Sequence, residues 1–180
     1  SQPVVGMGLG ARYVEHMHYI SYTPQRPKHY SQPYALPGDS AVPYPRVHIV
    51  DVASKANVVA QLPVRPNNLS LGGSVRDSAW AENSQKVHLS WLMRGSKAAY
   101  LAEVDASTGT ARIVARDTGK TYVEISNPQD PGSFYVTKDL KDAFWWSERD
   151  GWGHLYRFDG AGVANIAASD GDGGMSLAPE

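Results

Sequence analysis

Three aspartates, Asp51, Asp105 and Asp159, fall in the stretches VHIVDVASK (47–55), YLAEVDASTG (100–109) and HLYRFDGAG (154–162), spaced by 54 residues and then by 54 again. Equal spacing of this length constrains the fold more than any other feature, because it marks an array of one supersecondary unit. The offset carries to flanking positions. Val59, Ile113 and Ala167 correspond, Trp80 matches Phe134, and Leu89 and Trp91 match Ala143 and Trp145. Before residue 47 the chain is irregular and proline-rich, and the match fails there.

The local pattern says what the unit is made of. Segments 47–52, 86–93, 98–106, 110–116, 133–137, 142–147 and 154–159 read as short strands, rich in aromatic and β-branched residues. Between them MRGSK, DASTGT, SERDGWG and DGAG carry the Gly, Ser and Asp that hairpin turns require. No convincing amphipathic helix appears; the best candidate, SKAAYLAEV, has β-rich flanks. Four such strands in 40–54 residues are the size of a β-propeller blade. The expected fold is therefore all-β: about three blades of four antiparallel strands, an incomplete propeller, since closed propellers usually need four to eight. The blade-like units run over roughly 12–66, 67–119 and 120–172, with 173–180 as a tail. FWWSERDGWGHLYRFD (144–159) then reads as two inner strands and their hairpin, with Trp145 and Trp146 filling the space between blades.

Charge and composition remove several functions. With 17 Lys+Arg against 18 Asp+Glu and no basic run, there is no electrostatic case for nucleic acid. No stretch approaches the length of a membrane helix, and the first residues lack the features of a secretory signal. The absence of cysteine excludes disulfides, thiolate metal sites and thiol nucleophiles. No cofactor is expected.

The ordered stretches PYALPGDSAVPYPRVHIVDV, DSAWAENSQKVHLSWLMRGSKAAYLAEVDASTGTARIVARDTGKTYVE and FWWSERDGWGHLYRFDG resemble the N-terminal propeller of the dipeptidyl peptidase IV family, in the prolyl oligopeptidase clan. The matching features fall at Pro37–Pro45, Trp80, Trp91–Arg94, Asp105–Gly109 and, most specifically, Ser147–Tyr156. They span about residues 30 to 162. The resemblance implies a parent serine exopeptidase that releases N-terminal dipeptides with proline or alanine second. Its α/β-hydrolase domain would carry the triad, and adjacent glutamates on its propeller would bind the substrate amine. Location in the periplasm or outside the cell is implied in the same way.

This chain holds neither half of that machinery. It contains no Glu-Glu and no G-x-S-x-G. The nearest string, Gly174 to Ala178 around Ser176, lacks the strand-before, helix-after context of a nucleophile elbow. The expected role is thus the non-catalytic propeller portion, inactive alone, meeting peptide through the parent and packing on its hydrolase domain. The alternative is a stand-alone propeller-type module that binds peptide or protein and self-associates to cover its open edges. A small hydrolase on a β-sandwich is a third reading.

Smaller constellations are weighed individually. Ser147, Asp150 and His154 supply the letters of a triad in eight residues, but one hairpin does not easily stack them, and turn capping by Ser147 and Asp150 is the expectation. Glu148 and Arg149 are either a solvated pair or a polar bracket between blades. His16 and His18 share a strand face without a third ligand in sight, so no metal site is expected. Neither Gly6–Gly10 nor Asp170–Gly173 has phosphate- or calcium-binding spacing. The long loop TYVEISNPQDPGSF (121–134) supplies the candidate substrate-contacting residues Tyr122, Glu124, Asn127 and Asp130.

Overall fold

The computed structural model describes residues 3–66, 68–70, 80–81, 83–123, 134–137, 139, 141–159, 163–165, 167–170 and 174–177. Among these there is no helix, and the strands form small antiparallel sheets that match a partial propeller. The first sheet has the order β1 (Val4–Gly10), β4 (Tyr44–Val50), β5 (Asn57–Val59). A separate ribbon, β2 (His16–Ser21) with β3 (Lys28–Pro33), leaves the sheet between β1 and β4. The second sheet runs β6 (Asn68–Ser70), β7 (Lys86–Leu92), β8 (Ala98–Asp105), β9 (Ala111–Thr118). The third runs β10 (Phe134–Val136), β11 (Ala143–Ser147), β12 (His154–Phe158), β13 (Val163–Asn165). A last hairpin pairs β14 (Ala167–Asp170) with β15 (Gly174–Leu177).

The periodicity has a structural counterpart at its turns. Asp51 closes the β4–β5 turn by accepting from the backbone N–H and hydroxyl of Ser54 at 2.6 and 2.8 Å. Asp105 closes β8–β9 the same way, taking bonds from Ser107 and Thr108. Four residues on, Lys55 and Gly109 both adopt positive φ, at 60° and 75°. The two positions are not equivalent in space. A Cβ at Gly109 would collide with the Val59 carbonyl, because the first sheet packs onto this turn; Gln61 N–H donates to the Gly109 carbonyl at 2.8 Å. Glycine is therefore required in the second blade and dispensable in the first.

Burial separates the middle blade from its neighbours. β7 and β8 are buried on both faces, whereas β4 and β12 alternate between buried and partly exposed positions. One face of the second sheet, with Val87, Leu89, Trp91, Ala102 and Val104, packs on Val47 and Ile49 of the first. Its other face, with Ala99, Leu101 and Ala115, packs on Phe134, Trp145, Tyr156 and Phe158 of the third. Trp91 and Trp145 are both fully buried, 54 residues apart, each the largest plug of its interface. Trp91 stacks on Tyr100 at 5.4 Å and Trp145 on Phe134 at 6.3 Å.

Several expectations are corrected here. Trp146 follows Trp145 and so points to the opposite face, where it is only partly buried, paired with Leu155. Phe134 faces Trp145, but the residue facing Trp91 is Leu69, and Trp80 instead bridges to Val87. Equal spacing misaligned this strand because the link from β6 to β7 is longer than its counterpart. The region before residue 47 is not irregular: β1 completes a sheet there, and the inserted ribbon breaks the period.

Truncating a buried tryptophan leaves a cavity at the interface, so Trp145→Ala should lose about 3–5 kcal/mol. Trp152→Ala, at an exposed position, should stay within about 0.5 kcal/mol. Urea unfolding of the two variants checks this; equal midpoint shifts would remove Trp145 from its role as plug.

Candidate functional site

The densest polar constellation is built on the SERDG hairpin between β11 and β12. Ser147 ends β11 fully buried, and its hydroxyl donates to Asp117 of β9, in the neighbouring blade. The same oxygen accepts from the Arg149 backbone N–H at 3.1 Å and from its Nε at 3.0 Å. Arg149 also donates to the Arg116 carbonyl at 3.4 Å and lies 4.0 Å from the Asp117 carboxylate. Its guanidinium covers the rings of Tyr156 and Phe158, with Cζ 4.5 and 5.2 Å from their centres. Of the two readings of Arg149, the inter-blade bracket is the observed one, while Glu148 is exposed and only its carbonyl closes the turn to Gly151.

This geometry decides the triad question. A serine hydroxyl has one proton to give, and Ser147 gives it to Asp117 inside a sealed interface. The His154 Nδ1 pairs with Asp150 at 2.8 Å. The nearby Tyr156 phenol, and then the bond from His154, hold the Asp150 carboxyl down at about 2. Burial, and then the Asp150 carboxylate beside it, push the Tyr156 phenol up to about 12, although no regular hydrogen bond closes between the two. Ser147, Asp150 and His154 are neighbours on one hairpin serving two separate pairings. Ser147 caps the turn as expected, and Asp150 accepts from the Trp152 N–H at 3.4 Å.

A second cluster lies within the middle sheet, across β7, β8 and β9. The buried Glu103 accepts from Lys86 at 2.7 Å and Arg112 at 2.9 Å, with the buried His88 Nε2 3.6 Å away. Those partners outweigh burial and lower the Glu103 carboxyl. Burial dominates at His88 and lowers its pKa despite the facing glutamate. A third link joins two stretches singled out in the sequence. Arg94 donates to the carbonyls of Asp39 and Leu36 at 2.6 and 3.2 Å, fastening the turn before β4 to the middle blade.

Of the loop candidates, Tyr122 is 56% exposed beside the buried Val123, whose N–H donates to Ser96 at 2.7 Å. Glu124, Asn127 and Asp130 lie outside the described residues. Among the described residues no group of three or more His, Asp or Glu could hold a metal ion. His16 bonds Ser31 at 2.7 Å, and His18 stacks on and bonds His29 at 3.0 Å. Sequence reasoning missed Asp117; its only signal was a carboxylate two residues after the inward-facing Ala115.

The family model of the dipeptidyl peptidase IV (DPP IV) N-terminal region matches residues 8–175. The chain belongs to this family. No curated protein matches it. Among solved structures it is similar to a Porphyromonas gingivalis dipeptidyl peptidase 4, with a TM-score of 0.69 at 17% identity over 94% of this chain and 23% of that one. It is also similar to a protein assigned as dipeptidyl aminopeptidase IV from Bacteroides ovatus, with a TM-score of 0.66 at 20% identity over 88% of this chain and 21% of that one. The DPP IV N-terminal region described here thus spans less than a quarter of either neighbour. Its SERDG hairpin is a clasp between blades of this region.

Two measurements test this description. Ser147→Ala strands the buried Asp117 carboxylate, so it should cost about 1–3 kcal/mol or more by urea unfolding. A neutral result would show that the clasp is not closed. For His88, the folded state holds the proton less tightly than the unfolded chain. Stability is therefore fully present above the ordinary value of about 6.5 and falls as pH drops through it. His88→Gln should flatten that part of the stability–pH profile; identical profiles would contradict it.

Proposed function

We propose that this chain is the non-catalytic propeller portion of a DPP IV-like serine exopeptidase that releases N-terminal dipeptides with proline or alanine second. In this role it scaffolds the α/β-hydrolase domain of the same parent and gates access of peptide to it. The observation that carries the reading is the family match over residues 8–175 in a chain without Glu-Glu or G-x-S-x-G. The use of Ser147 inside an interface supports it, because that serine has no proton for a substrate. On this reading Tyr122 and the loop that follows it are candidate peptide contacts, and the parent acts in the periplasm or outside the cell. No helix among the described residues is long and apolar enough to cross a membrane.

The half-covered first and third sheets favour self-association of the 180-residue chain. Sedimentation equilibrium should show mass rising with concentration, and a strict monomer at all concentrations argues against it.

The activity reading is tested by paired assays. The 180-residue chain should resist serine-directed fluorophosphonate labelling and leave a chromogenic Xaa-Pro anilide intact. The reading frame expressed with its flanking sequence should be labelled and should cleave it. Labelling of the short chain, or silence of the long one, would overturn the proposal.

A further inference from the structure

At the base of the ribbon, away from the clasp, a cavity of about 600 Å³ is lined by Arg12, Arg46 and Arg65, with Tyr44 and the backbone of Gly10 and Ala11 among its other walls. None of its lining residues is acidic. Among the described residues none of the three arginines forms an ion pair. Two acids adjoin the lining in sequence, Glu15 and Asp39, and neither is part of it; Asp39 already accepts from the Leu36 N–H at 2.7 Å.

Tyr44 organises the wall. Gly10 pairs with Tyr44 across β1 and β4, and a Cβ on Gly10 would stand 3.2 Å from the phenol carbon Cζ, so glycine is what lets the ring lie against the strand. Arg65 covers the ring with its Cζ 4.4 Å from the centre, and Arg46 approaches to 5.2 Å. Arg46 also donates through Nη2 to the Tyr44 hydroxyl. Two cations therefore converge on one ring, and the phenol, its oxygen accepting from Arg46, keeps its own proton to donate. The charged side chains lining the site are all guanidinium groups, with the planar fork geometry that suits carboxylate and phosphate oxygens.

From this geometry we infer that the Arg12–Arg46–Arg65 cavity binds a small oxyanion, a carboxylate or a phosphate, held by Arg46, Arg65 and the Tyr44 hydroxyl. Binding relieves the repulsion between the converging guanidinium groups and gives the phenol proton an acceptor. The apolar side chains of Leu9, Val14 and Val42 line the same space, leaving room for a short carbon body behind the anionic group. The depressed phenol of Tyr44, caused first by its bond from Arg46, accords with the surplus positive charge.

The test is calorimetric titration of the intact chain at low ionic strength with inorganic phosphate and, separately, succinate. Saturable binding at one site per chain is expected for at least one. Which one binds identifies the source of the oxygens. Arg46→Gln and Arg65→Gln should each weaken it about tenfold, the worth of a charge-assisted hydrogen bond. Arg26→Gln, on the exposed turn of the ribbon, should leave it unchanged. All three variants alter exposed side chains; should one of the pocket variants fail to fold by circular dichroism, the other carries the test. No saturable binding of either probe, or equal weakening by Arg26→Gln, would overturn the inference.

Discussion

A blade is a sheet with two apolar faces, and everything else in this structure follows from the need to cover both. The middle blade meets that need. Its inner strands are buried on both sides, the state expected when a sheet lies between two others. The tryptophans at 91 and 145 are how the cover is made, since each fills the gap toward the preceding blade with the largest side chain available. Burying an indole contributes about 4–6 kcal/mol by area. Among the described residues neither indole N–H has a hydrogen-bond partner, and an unpaired buried donor costs about 1–3 kcal/mol. The plugs therefore gain from shape and area, with the polar handle as a liability that the interface tolerates.

Apolar packing is non-directional and does not choose the angle or register between blades. The polar contacts supply that choice. The bonds joining Asp117, Ser147 and Arg149 have fixed donors and acceptors in two blades, so sliding one sheet against the other breaks all of them together. Arg94 does the same between the middle blade and the turn ahead of β4. Within the middle sheet the buried Glu103 sits beside the buried His88 and is held by the more exposed Lys86 and Arg112, a cluster whose net contribution is small once desolvation is counted, but which is costly to break by halves.

What was legible in the sequence was whatever is local or periodic. The seven strands read from alternation appear within a few residues of where they were expected, because their period of two and their turn residues are written side by side. The common spacing of Asp51 and Asp105 was legible because both carboxylates do one local job in one kind of turn. Contacts between blades were not. Asp117 and Ser147 are thirty residues apart, and nothing in either segment names the other. Trp80 was paired with Phe134 because a fixed offset cannot see a longer link. β1 went unread because Gly6, Gly8 and Gly10 look like a loop until β4 is placed beside them.

The same division explains why suggestive letters failed as chemistry while an unremarked patch became a candidate. In a propeller the serines, aspartates and histidines of inner strands and hairpins are consumed by turns and by neighbouring blades. A catalytic alphabet within one hairpin is then the expected by-product of building a blade. Charged groups left without an opposite charge inside the fold are the ones free to meet something else. Among the described residues the clearest such set is the arginine-lined cavity, whose members come from β1, β4 and the segments beside them and look unrelated in sequence. Tyr44 brings them together only because Gly10 opposite it has no side chain. A repeat fold thus places its chemistry where the repeat is broken, here at the inserted ribbon.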